Sequence, residues 1–169
     1  MSTIAGSNAF RLSRFGYLMG LYAENHRRLQ RLFAVESLDG DAFRSSIDDG
    51  MDLRLQILER HPYTLELRLT YELLDPQTGE PDPSAYLRCY RDARVAEVTH
   101  CYVGRRWQDT LGLNASTRTV VGHRLRMNAF LSKWLEFLAD QGHSSFTLRP
   151  DDSPFPAVSE PRRVAVAGA

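Results

Sequence analysis

An α+β fold follows from three observations: a helical stripe of apolar residues near the start of the chain, period-two alternation through its middle, and a second helical stripe ending at Gly142. Together they predict a two-layer domain, a five-stranded antiparallel meander with an N-terminal and a C-terminal helix on one face. The 169 residues suit one domain with a sizeable core. The expected organisation is a flexible N-terminus over 1–12, a single α+β domain over 13–149 and a disordered tail over 150–169.

The first helix is read from Phe15, Leu18, Met19, Tyr22, Leu29, Leu32 and Phe33, which recur at three- and four-residue spacing behind Ser13 as N-cap. Asn25 falls on that stripe, where a polar group left without a partner costs about 1–3 kcal/mol, so it is expected to be a structural anchor. Arg27, Arg28 and Arg31 decorate the far end, where cations complement the helix dipole.

Phe43 to Ile47 reads as a short edge strand, ended by a turn at Asp48-Asp49-Gly50. Two long strands follow, in which Met51, Leu53, Leu55 and Ile57, then Tyr63, Leu65, Leu67, Leu69 and Tyr71, alternate with polar residues. A short loop at Arg60-His61-Pro62 would set Arg54 directly against Arg68. Opposed like charges disfavour that register, so the longer loop is expected unless an acid from a neighbouring strand intervenes. Pro76, Gly79, Pro81 and Pro83 then mark a connection into the next hairpin.

That hairpin, Leu87 to Val98, has two chemically opposite sides. With Asp92 and Ala93 as the turn, Leu87 faces Val98 and Cys89 faces Ala96 on an apolar side. On the other side Tyr86 faces Thr99, Arg88 faces Glu97 as an ion pair, and Tyr90 faces Val95. Residues 103–120 carry mixed signals and are read as loop. The last helix has Met127, Phe130, Leu131, Trp134, Leu135 and Leu138 on one stripe, Asn128 at its border as a second polar anchor, and Gly142 as C-cap.

Composition excludes several classes. The chain has no net charge, but ten acids against four arginines leave 41–84 net acidic by six, and 85–142 is net basic by four. Opposite charge on successive segments favours their packing together and provides no single-sign field for nucleic acid. No apolar run approaches a membrane span, and Arg11 and Arg14 interrupt what a signal peptide would need, so a cytoplasmic location is expected. Cys89 and Cys101 form no CxxC pair, and five scattered histidines lack ligand spacing, so no metal is expected. There is no GxSxG elbow and no glycine-rich phosphate loop, and no cofactor is expected.

The hairpin, the earlier Leu18-Met19-Gly20-Leu21-Tyr22-Ala23-Glu24-Asn25 and the later Asn128-Ala129-Phe130-Leu131-Ser132-Lys133-Trp134-Leu135 together resemble the bacterial YqiB-like family, a domain of unknown function (DUF1249) found in proteobacteria. The likeness covers Ser13 to Gly142. It implies a small cytoplasmic protein with no established activity, encoded near an ADP-ribose pyrophosphatase and a cyclic-AMP phosphodiesterase. This chain departs from the family where a charged Arg-Asp-Glu-Lys run precedes the last helix: here the positions read Val121-Gly122-His123-Arg124.

The candidate binding residues are therefore Tyr86, Arg88, Tyr90, Asp92, Glu97 and Trp107, the last as a rim aromatic beside Arg105 and Arg106. The ordinary reading of Arg88 and Glu97 is a surface ion pair worth ~0.2–1 kcal/mol, and that of Asp92 is a turn former. The expected function is a non-enzymatic binding or adaptor domain that docks a protein partner, or a second copy, on the open sheet face. The alternative is a binder of, or enzyme acting on, a small nucleotide-like ligand.

Overall fold

The structure is a computed structural model that describes residues 5–112 and 120–155. Its elements are α1 (Ala5–Phe33), a 3-10 turn (Val35–Ser37), β1 (Ala42–Ser45), β2 (Leu53–Arg60), β3 (Thr64–Tyr71), β4 (Ser84–Tyr90), β5 (Val95–Tyr102), α2 (Arg105–Thr110), α3 (Val120–Gln141) and β6 (Leu148–Pro150). The sheet order is β5-β4-β3-β2-β1-β6, with every neighbouring pair antiparallel. The fold is α+β as expected, with one more strand: β6 returns along β1, so β1 is not an edge.

Alternation places the inward residues of the strands under the two long helices. Phe43, Leu53, Leu55, Ile57, Leu65, Leu67, Leu69, Tyr71, Ala85, Leu87, Cys89, Ala96 and Val98 join Leu29, Phe33, Phe130, Leu131, Trp134, Leu135 and Leu138 in one core. Burial pushes the thiols of Cys89 and Cys101 up to about 12 and about 11, which keeps both protonated and poorly nucleophilic.

Three local expectations change. α1 begins at Ala5, so Ser13 lies inside the helix rather than capping it. Val121, Gly122, His123 and Arg124 lie within α3, not before it. The span read as loop contains α2, because Trp107 has an apolar site to fill: it is 4% exposed and packs 5.3 Å from the Tyr71 ring and 5.8 Å from Phe137. Trp107 is thus a core residue and not the rim aromatic expected beside Arg105 and Arg106. The rest of that span, 113–119, lies outside the described residues.

Register follows charge. β2 and β3 pair with Arg54 opposite Thr70 and Leu55 opposite Leu69, the longer-loop alternative, with an irregularity between Ile57 and Glu59. Arg54 does face another arginine, Arg44 of β1. That pairing is tolerated because Glu72 and Asp151 each approach both guanidinium groups.

Candidate functional site: the sheet face opposite the helices

The outward residues of the strands form rows across the sheet. One row runs Gln56, Arg68, Tyr86, His100; the next runs Glu66, Arg88, Glu97. A bulge between Tyr86 and Leu87 moves Tyr86 opposite His100, not Thr99 as the simple hairpin register requires. The Tyr86 and His100 rings lie 6.0 Å apart.

Arg88 and Glu97 are cross-strand neighbours as expected, yet they are not the ion pair. Arg88 turns the other way, toward β3, where Nη2 approaches Glu66 Oε1 at 2.6 Å and Nε donates to the same oxygen at 2.8 Å. Glu97 instead accepts the Tyr90 hydroxyl at 2.8 Å. Sequence reasoning on one hairpin missed Glu66 because an arginine has carboxylates on both flanking strands to choose from, and the β3–β4 pairing sets Glu66 beside Arg88. Hydrogen bonding to Tyr90, then to Glu66, holds the Arg88 guanidinium above its ordinary range. Burial, then the bond to Glu97, raises the Tyr90 phenol. Both groups keep their usual protonation at neutral pH: a cation and a neutral hydroxyl fixed by two carboxylates, and all four side chains are half-buried.

Asp92 stands apart from this network. It is exposed at the tip of the hairpin, where Oδ1 accepts the N–H of the next residue, Ala93, at 2.9 Å, a local bond within the turn.

The two asparagines serve the opposite side. Asn128 is fully buried on α3, and its Oδ1 accepts the N–H of Val98, a residue of the edge strand β5, at 3.0 Å. Its Nδ2 donates to the Arg124 carbonyl at 2.9 Å, and its own carbonyl accepts Asn25 Nδ2 at 3.1 Å. One residue therefore links α3, α1 and the sheet edge.

The other half of the outer face is not open, and this corrects the expectation of a tail from residue 150 onward that lacks structure. After β6, residues 151–155 fold back over the sheet. Asp151 pairs with Arg44 at 2.6 Å, and Ser153 accepts from Arg54 through both its hydroxyl, at 2.7 Å, and its carbonyl, at 2.6 Å. Phe155 lies 4.5 Å from the Arg54 guanidinium and 5.3 Å from that of Arg68. The segment lacks the apolar pattern of a packed element because arginines, not leucines, hold it. The remainder of the tail lies outside the described residues.

Ser153's hydroxyl and backbone N–H, then Arg54 and Arg44, hold the Asp151 carboxyl down to about 2. A carboxylate whose folded pKa is depressed stabilises the fold above its unfolded value, and that contribution is lost as pH falls through the folded one. The segment is thus expected to loosen between about pH 4 and pH 2. By NMR, the Asp151 carboxyl should titrate near 2 in the wild type and closer to its ordinary value in Ser153→Ala. An ordinary midpoint in the wild type would show that the segment does not hold this contact in solution.

Among the described residues there is no group of three His, Cys, Asp or Glu able to hold a metal ion, and no helix is long and apolar enough to cross a membrane. A family model described as protein of unknown function (DUF1249) matches residues 28–144, more than half of the chain. No curated protein and no solved structure matches it.

Proposed function

The chain belongs to the DUF1249 family of proteins of unknown function, and we propose that it is a non-enzymatic binding domain whose working surface is the sheet face opposite the helices. One observation carries the reading: Glu66, Arg88, Tyr90 and Glu97, drawn from three strands, hold each other in fixed positions on a face that, among the described residues, no helix covers. A preordered charged and aromatic surface loses little side-chain freedom when a partner docks, which favours its use in recognition. The reading includes a cytoplasmic location, which two free thiols suit.

The test is the native mass of the protein isolated gently from its own cells, wild type against Arg88→Ala and Tyr90→Ala. The expected result is a bound species on the wild type that both variants lose while their melting curves stay within a few degrees. Each substitution removes only part-exposed contacts, worth about 1 kcal/mol or less. A mass increment of one chain identifies a homodimer, other large increments a protein partner, and increments of small-molecule size a ligand. The reading is overturned if the variants keep the same species as the wild type, or if the wild type carries none.

A further inference from the structure

Beside the Glu66–Arg88 network lies a buried cation to which no carboxylate of the described residues is bonded. Arg68 projects from the outer side of β3, between Gln56 of β2 and Tyr86 of β4, and only 4% of its surface is exposed. Its neighbour Arg54 is as deeply buried, but Glu72, Asp151 and Ser153 surround that guanidinium. Arg68 has much less. Among the described residues its Nε reaches the Ser84 hydroxyl at a long 3.5 Å, and its Nη2 has no hydrogen-bond partner. Two aromatic rings lie beside it, Tyr86 at 5.6 Å and Phe155 at 5.3 Å. Glu80 acts on it through its charge but makes no bond to it.

A buried guanidinium without a bonded carboxylate is among the costliest arrangements in a protein interior, and an apolar residue would serve packing better. The planar fork of donors fits one class of group well, an oxyanion, which it can hold through two parallel hydrogen bonds. The ring above it is equally informative. Phe155 spans the guanidinium groups of both Arg54 and Arg68 and sits at the end of a segment anchored by Asp151 and Ser153. It fills the place that a flat ring of a ligand would take.

We propose that Arg68 is the seat for the phosphate or carboxylate group of a small ligand with an aromatic ring, that Tyr86 flanks that ligand, and that Phe155 covers the seat when it is empty. The proposal rests on the outer sheet face being the binding surface, and it names the chemistry that surface takes.

Calorimetric titration of the full chain with phenyl phosphate, benzoate and inorganic phosphate tests it, on the wild type, Arg68→Met and Phe155→Ala. Phenyl phosphate or benzoate is expected to bind, and the tighter of the two tells phosphate from carboxylate. Phe155→Ala should bind roughly two- to five-fold tighter, the equivalent of removing one competing cation–π contact. Arg68→Met should bind roughly ten-fold weaker or worse, as expected for loss of a charge-assisted hydrogen bond. If Arg68→Met does not fold, the comparison of Phe155→Ala with the wild type decides the matter.

Absence of binding to both the wild type and Phe155→Ala overturns the proposal, as does equal binding by Arg68→Met, or weaker binding by Phe155→Ala. Inorganic phosphate bound alike by every variant, with no preference for the aryl acids, marks an adventitious ion only and also overturns it. Should the aryl acids fail while Arg88→Ala and Tyr90→Ala still lose a cellular species, the oxyanion seat falls and the binding face stands. If those variants lose nothing, the binding face itself falls.

Discussion

Trp134→Ala is expected to destabilise the protein by about 3–5 kcal/mol, the range for emptying a buried aromatic site. Trp134 is completely buried on α3, stacked on Phe130 at 5.5 Å and edge-on to Tyr71 at 5.5 Å. Tyr71 in turn packs against Trp107, so the indole is one link in a chain of rings joining α3, β3 and α2. Burial pushes the Tyr71 phenol up to about 12, which keeps that ring neutral within the core. The cavity cannot collapse easily, because its walls belong to a helix and a central strand that other contacts hold in place. Urea unfolding followed by circular dichroism should show the loss as a lower midpoint at unchanged slope. A loss below about 1.5 kcal/mol would mean that the rings repack and that this cluster is not central to stability.

Asn128→Leu is expected to cost about 2–4 kcal/mol, more than Asn25→Leu, although both residues are fully buried and the two changes are chemically identical. Replacing Asn128 leaves the buried Val98 N–H without its acceptor and removes the side-chain donor to the Arg124 carbonyl. Leucine also presents an apolar end to a backbone donor of the edge strand β5 that the sheet itself leaves unpaired. At Asn25 the one bond lost among the described residues is that from Nδ2 to the Asn128 carbonyl, and its Oδ1 is already buried without a partner. Removing that orphaned oxygen offsets part of the loss. Chemical denaturation of both variants gives the order directly. Equal losses, or a larger one at Asn25, would show that the link to β5 is not what Asn128 contributes.

The hairpin illustrates how far one sequence could be read. Opposition of Arg88 and Glu97 was legible, because alternation and a compact turn determine which residues face each other over Leu87 to Val95. Their bonding was not. It depended on Glu66, more than twenty positions earlier, arriving on the other flank of β4. Tyr86 was misplaced by one partner because a bulge leaves no mark in an alternating pattern. Trp107 was misread for a related reason: two adjacent arginines gave it a polar context in the chain, while the space that receives it is lined by Tyr71 and Phe137, distant in sequence.

Arg54 and Arg68 show the same limit on the site itself. Both were visible as polar positions of alternating strands, and alternation correctly assigned them to the face away from the helices. The cover over them came from residues 151–155, a stretch of two acids, a serine, one proline and a lone phenylalanine. A segment held by charge-assisted bonds to a sheet has no periodicity to betray it.

The sequence by itself determined the elements with a repeating apolar period: both long helices, the central strands, their inward faces and the register that separates Arg54 from Arg68. These depend on spacing along the chain, which local geometry converts into a face. The tertiary structure alone decided the sixth strand, the short helix around Trp107, the partner of Arg88 and the covering of Arg68 by Phe155. Each of these joins residues that are remote in sequence, and such contacts are set by how the faces pack rather than by any pattern within one segment.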